Sequence, residues 1–180
     1  MKILVFAASN SSKSINNRLV TYVARQFAEG NDINHIRIHD YEMPIYQMDR
    51  EAANGIPQEA HQFAELIDSS DLIIISLAEH NSNFSVGFKN IYDWVSRIKG
   101  RKPWNGKKLF LLSTSEGARG GGNVMDIALN VFPRHSAEIV GHFSLPQFSQ
   151  NFNDETGVTN AELNAPLEAA IEQVKTKLNG

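Results

Sequence analysis

The chain has 180 residues, 42% hydrophobic and 21% charged, which are the values of an ordinary folded domain and exclude intrinsic disorder. Seventeen basic against twenty acidic residues give a net charge of −3, which argues against nucleic acid as a partner. Cysteine is absent, and with it disulfide scaffolds, thiol nucleophiles, iron–sulfur clusters and cysteine-ligated zinc.

Met1-Lys2 leads into the apolar run Ile3–Ala8 and then a polar loop, which fits a first buried strand better than a signal peptide. Residues 16–29 carry Leu19, Val23 and Phe27 at spacings of four and predict a helix. Ile33–His39 alternates, with Ile36 and Ile38 on one face and His35, Arg37 and His39 on the other, as an edge strand with one wet face does. Residues 40–56 form a long connection bearing Tyr41, Met43, Ile45, Tyr46 and Met48. That apolar surface either folds over a site or meets a second subunit. A helix over 57–69 has Pro57 in its first turn and Phe63, Leu66 and Ile67 on one face.

Leu72–Ile75 and Leu109–Leu112 read as further buried strands, and no apolar run is long enough to cross a membrane. Helices are predicted over 87–98, 121–132 and 161–178, the last with Pro166 in its first turns. Glu138–Leu145 is mixed like the other edge strand, and 146–160 reads only as a polar loop. The order βαβαβαβαβα, with crossovers that permit only parallel pairing, predicts an α/β fold. We expect a flavodoxin-like three-layer sandwich with a five-stranded parallel sheet in order 2-1-3-4-5. No repeat or linker interrupts the chain, so residues 1–180 are expected to form a single domain in the cytoplasm.

In such a sheet ligands sit beyond the carboxyl ends of the strands, where the winding reverses. Three loops converge there: 9–17, 78–86 and 115–121. Seven of the nine residues from Ser9 to Asn17 are serine or asparagine, and they precede a helix whose first N–H groups and dipole suit an anion. The loop lacks both G-x-x-x-x-G-K and G-x-G-x-x-G, which leaves a terminal phosphate monoester as its ligand. Capping by Ser14 would account for one serine but not for four. Four glycines lie between Gly117 and Gly122; composition alone leaves a flat ligand against the backbone and a merely flexible loop equally open. The six histidines show no ligand spacing, so no metal is expected. No nucleophile–base pair is evident either.

These loops resemble those of the NAD(P)H-dependent FMN reductases, which include quinone, azo-dye and chromate reductases. The family's P-E-Y-N-x-S-x-P-G-x-L-K-N-x-x-D-W motif is matched without gaps by Ala78–Trp94 at Glu79, Asn81, Lys89, Asn90, Asp93 and Trp94. Its G-S-x-R-x-x-S-x-N loop is similar to Ser9–Asn16, and its S-T-S-P-G-G-R-G-G loop to Ser113–Gly121. Met43-Pro44-Ile45-Tyr46 resembles the proline-bearing segment after the second strand, and the likeness covers about residues 2–145.

The resemblance implies bound FMN and NAD(P)H as electron donor. Ser9, Ser11, Ser14, Asn16 and Asn17 would hold the phosphate. Glu79, His80, Asn81 and Ser82 would edge the ring, largely through backbone groups, with Ser115, Gly117, Arg119 and Gly120 along its other border. No side chain would be catalytic, because the chemistry belongs to the flavin N5. The family also implies a homodimer or homotetramer. The departures that matter are Ala78 for proline, His80 for tyrosine, Ser11 for a common arginine, and Ser85-Val86 for Pro-Gly. The Lys89, Asn90, Asp93 and Trp94 group is expected to be mainly structural or interfacial, with Asp93 pairing Lys89 or Arg97.

The leading reading is an oxidoreductase passing electrons to a small-molecule acceptor such as a quinone. The alternatives are a flavin reductase that releases reduced FMN, a flavodoxin-like electron carrier, and a phosphate-ligand binding module. A net charge of −3 offers little of the field that steers an acidic carrier.

Overall fold

The computed structural model describes residues 1–179. Its central sheet is built from Lys2–Ala8 (β1), Asp32–His35 (β2), Leu72–Leu77 (β3), Lys108–Thr114 (β4) and Glu138–Leu145 (β5). All neighbours pair in parallel, in the order β2-β1-β3-β4-β5, as the hydrophobic pattern predicts. β3 is buried along its whole length and β1 from Ile3 onward, which is why these segments read as unbroken apolar runs.

Side chains alternate across the sheet and fill two cores. Ile3, Val5 and Ala7 pack with Leu19 and Val23 of Ile15–Arg25 (α1) and with Leu167, Ile171 and Val174 of the last helix, Ala161–Asn179. Leu4, Phe6 and Ala8 face the opposite core. There they meet Phe63 of Gln58–Asp68, Phe88 and Ile91 of Val86–Val95, and Val124 and Ala128 of Gly122–Val131. With Met48–Asn54 as α2, these three helices are α3, α4 and α5 in chain order. Helices therefore cover both faces, giving a flavodoxin-like three-layer sandwich.

Three segments differ from the sequence expectation. The second strand stops at His35 instead of continuing to His39. Its last ladder bond runs from the Ile36 amide to the Val5 carbonyl at 3.0 Å. The chain then turns through a 3₁₀ helix, Ile38–Tyr41, which drops Ile38 into the α3–α4 core. The connection 40–56 contains α2, none of whose residues is buried. Likewise, 146–160 is more than a loop. It holds a short helix, Phe148–Asn151 (α6), and a two-stranded hairpin, Phe152–Asn153 with Gly157–Val158. Phe148, Phe152 and Val158 extend the core on the α1 side. Counting α6 makes Ala161–Asn179 α7.

Candidate functional site at the carboxyl ends of the strands

The loops after β1, β3 and β4 meet as predicted, and side-chain hydrogen bonds tie them together. Asn16 is the central knot. Its Oδ1 accepts from Ser76 Oγ of β3 at 2.8 Å and from the Thr114 amide of β4 at 3.1 Å, while its Nδ2 donates to the Thr114 carbonyl at 3.1 Å. The Asn16 side chain is thus committed to the protein, and its backbone N–H is what it offers a ligand. Ser85 Oγ donates to the Ala8 carbonyl at 2.7 Å and accepts from the Phe88 amide, so it caps α4 while pinning the end of the second loop to β1. The Ser85 departure from the family pattern therefore supplies a helix cap.

The first loop is a set of short serine turns. Ser9 Oγ accepts from the Ser11 amide, Ser11 Oγ from the Lys13 amide, and Ser14 Oγ from the Asn17 amide as the cap of α1. Among the described residues, the amides of Ser12, Ile15 and Asn16 find no acceptor within the protein. Three unpaired N–H groups at a helix amino terminus, ringed by hydroxyls, are the donor set that a phosphate monoester requires. Ser14 is thus the cap of α1, as the helix start suggested.

Two side chains reach this loop from outside it. Arg37, just beyond β2, donates through Nη2 to the Ser11 carbonyl at 2.9 Å. His35 Nε2 lies 3.2 Å from Asn17 Oδ1, and burial together with neighbouring Arg37 pushes the imidazole pKa below its usual value. Sequence reading assigned both side chains to a wet strand face. The signal for their role is position: they stand at the carboxyl end of the strand beside β1.

The second loop is a tight hairpin, Glu79–His80 against Asn83–Phe84, turned by Asn81 and Ser82 at φ of 50° and 61°. The Glu79 carboxylate accepts from the Val124 amide at 3.0 Å and from Asn123 Nδ2 at 3.1 Å, capping α5. Asn123 Nδ2 also reaches Ser82 Oγ at 3.2 Å. Asn123 was not singled out from sequence; its place in the first turn of α5, facing an acidic hairpin, is what marks it. His80 is exposed at the hairpin.

In the third loop Ser115 Oγ accepts from the Gly117 amide, and the Gly117 carbonyl accepts from Gly120 and Gln147. Gly120 has φ +58°, and a Cβ there would lie 2.5 Å from the Leu145 carbonyl carbon. Its glycine is demanded by packing within the protein. A Cβ on Gly117 would meet only Ser115 Oγ, at 3.6 Å, so the protein itself leaves room for a side chain there. Arg119 stands apart: it is exposed, its guanidinium 3.7 Å from Asp126. The 146–160 segment buttresses this loop, with Glu116 accepting from Ser149 and with Arg18 of α1 paired bidentately to Asp154 at 2.8 and 2.9 Å.

Beside the cleft, Asn90 and Trp94 of α4 hold the Met43–Tyr46 segment. Asn90 Nδ2 donates to the carbonyls of Met43 and Pro44, and its Oδ1 accepts from the Tyr46 amide at 2.8 Å. Trp94 is fully buried, edge-on to Tyr46, in keeping with a packing role. Asp93 pairs with Lys89, whereas Arg97 turns away to Glu51. A cavity of about 160 Å³ opens between this segment and the first loop, lined by Asn10, Tyr41, Met43, Ile45, Val86 and Gly87 among others.

A doubly wound sheet with an anion cradle and a glycine-rich border at its switch point is the architecture of a flavin-nucleotide protein. The sequence pattern of the NADPH-dependent FMN reductase family matches residues 1–150, and the chain belongs to that family. That family is named for NADPH and FMN. A 2-hydroxy-1,4-benzoquinone reductase from Burkholderia sp is 29% identical over 120 residues, covering 67% of this chain and 63% of that protein. A quinone reductase from Escherichia coli (strain K12) is 32% identical over 80 residues, 44% of this chain and 42% of that protein. The chain thus matches less than two thirds of the length of either curated relative. Among solved structures, FerB, a flavoenzyme NAD(P)H:(acceptor) oxidoreductase from Paracoccus denitrificans, superposes with a TM-score of 0.73 at 20% identity. The match covers 97% of both chains and supports the fold.

Proposed function

We propose that this chain is an FMN-dependent NAD(P)H oxidoreductase whose acceptors are small molecules of the quinone class. The observation that carries the reading is the cradle of unpaired N–H groups at Ser12, Ile15 and Asn16, fixed beside the glycine-rich loop by the Asn16 knot. FMN held there would supply the redox chemistry that links a nicotinamide donor to the acceptor. The protein binds, orients and excludes water. Ser9, Ser11, Ser14 and Asn17 offer the phosphate their hydroxyls, amide groups or backbone, and Asn16 offers its N–H. Glu79 to Ser82 form one edge of the ring site, while Ser115, Gly117, Arg119 and Gly120 form the other. Glu79 acts through its backbone, because its carboxylate is engaged in capping α5.

We take residues 1–180 as one FMN-binding domain acting in the cytoplasm, where reduced nicotinamides are kept. A second copy of the chain is its partner. Ile45, Met48 and Val86 are 69%, 74% and 67% exposed on the 43–48 segment and the start of α4, beside the cleft. Apolar side chains so close together and so open suit an interface with another subunit. Light scattering should give a dimer or tetramer, and Met48→Glu should shift it toward monomer.

Anaerobic mixing tests the activity. Purified protein loaded with FMN should be bleached by NADPH or NADH and regain its colour when benzoquinone is added. Colour unaffected by both nicotinamides would favour the electron carrier. Turnover of free FMN without retention of flavin would favour the flavin reductase.

A further inference from the structure

The first loop has one cation of its own, Lys13, whose side chain is exposed and forms no hydrogen bond within the protein among the described residues. A phosphate monoester carries between one and two negative charges at neutral pH. Neutral donors and a helix dipole worth about half a charge leave much of that uncompensated. Arg18 on α1 cannot make up the difference, because Asp154 holds its guanidinium bidentately.

Arg37 is differently placed. It is half-buried and reaches the loop from the far side of β1, where it is fixed by one hydrogen bond to the Ser11 carbonyl. Among the described residues no carboxylate lies within 4.0 Å of it. A guanidinium has five N–H groups, so most of its donors and all of its charge remain uncommitted at the rim of the cradle. The neighbouring strand end also supplies His35, whose contact with Asn17 orders the same rim.

We propose that Arg37 is the cation of the phosphate cradle, so that the edge strand, and not the loop, makes this chain prefer a phosphorylated flavin over an unphosphorylated one. This inference rests on the FMN reading above. The role is one of specificity: the phosphate is recognised by charge at Arg37 and by shape at the serines.

The test compares FMN with riboflavin, which shares the ring and ribityl chain but lacks the phosphate. Each is titrated into flavin-free protein, wild-type and variant, by quenching of flavin fluorescence. Arg37→Met should weaken FMN binding by about tenfold, the scale of one charged hydrogen bond at a solvent-facing rim, and leave riboflavin binding unchanged. Arg37→Lys should retain most of the preference, and the salt dependence of FMN binding should flatten in Arg37→Met. Equal losses for both flavins would reveal a merely structural tie to Ser11 and overturn the proposal. So would an Arg37→Met variant that binds FMN as well as the wild type. Wild-type protein that binds neither flavin would overturn the FMN reading itself.

Discussion

The indole N–H of Trp94 donates to the carbonyl of Pro44 at 2.7 Å, joining α4 to a segment fifty residues earlier in the chain. With Asn90 one turn away, it holds an extended stretch that has no strand partner and carries Ile45 out into solvent. The family-like pairing of Asn90 and Trp94 with Met43–Tyr46 is therefore a clamp, and it forms one wall of the cavity beside the first loop. Trp94→Phe should cost more than about 2 kcal/mol in chemical denaturation, because the fully buried indole gives up both a hydrogen bond and packed volume. Asn90→Ala should speed hydrogen exchange at the Tyr46 amide, which loses its acceptor, while amides in β3 stay protected.

Asn16 joins α1 to β3 and β4 with a buried side chain. Asn16→Leu removes three hydrogen bonds and leaves the Thr114 N–H and C=O without partners. It should destabilise the protein by about 3 kcal/mol and abolish FMN retention in the same variant. Ser14→Ala is the milder comparison: loss of the cap should cost about 1 kcal/mol.

Two glycines of one loop should behave oppositely. Gly120→Ala places a Cβ against the Leu145 backbone at a positive φ, and should lower stability by more than about 2 kcal/mol. Gly117→Ala meets only ordinary contact and should leave thermal stability within about 0.5 kcal/mol of wild type. A fall in FMN affinity in Gly117→Ala would thus report on the ligand and not on the fold.

Burial, and then the charge of Arg37, depress the pKa of His35 below its ordinary 6.5. The native state therefore binds the proton less readily than the unfolded state. The stability this contributes is fully present above pH about 6.5 and is lost as pH falls toward the native-state value. Urea denaturation of wild type and His35→Gln between pH 5 and 8 should show a flatter acid limb in the variant.

The sheet was legible because β1, β3 and β4 are buried on both faces and announce themselves as apolar runs. Edge and connecting segments were harder to read. Ile36 and Ile38 keep the alternation of a strand, yet Ile38 reaches its core through a 3₁₀ turn, and period alone cannot tell the two apart. α2 buries nothing, so it has no apolar stripe to detect. The hairpin within 152–158 has strands of two residues, too short for any pattern. At the site, the serine and asparagine content marked the polar turns ahead of α1, whereas the Asn16 knot and the Arg37 contact depend on partners that only the folded sheet brings near.

Because the Asn16 side chain belongs at once to the sheet and to the cradle, the pocket has no hinge of its own. It cannot loosen without slackening the two central strands. On heating, opening of the cradle should therefore coincide with unfolding of the sheet, and the melting temperature should rise with FMN concentration as one transition.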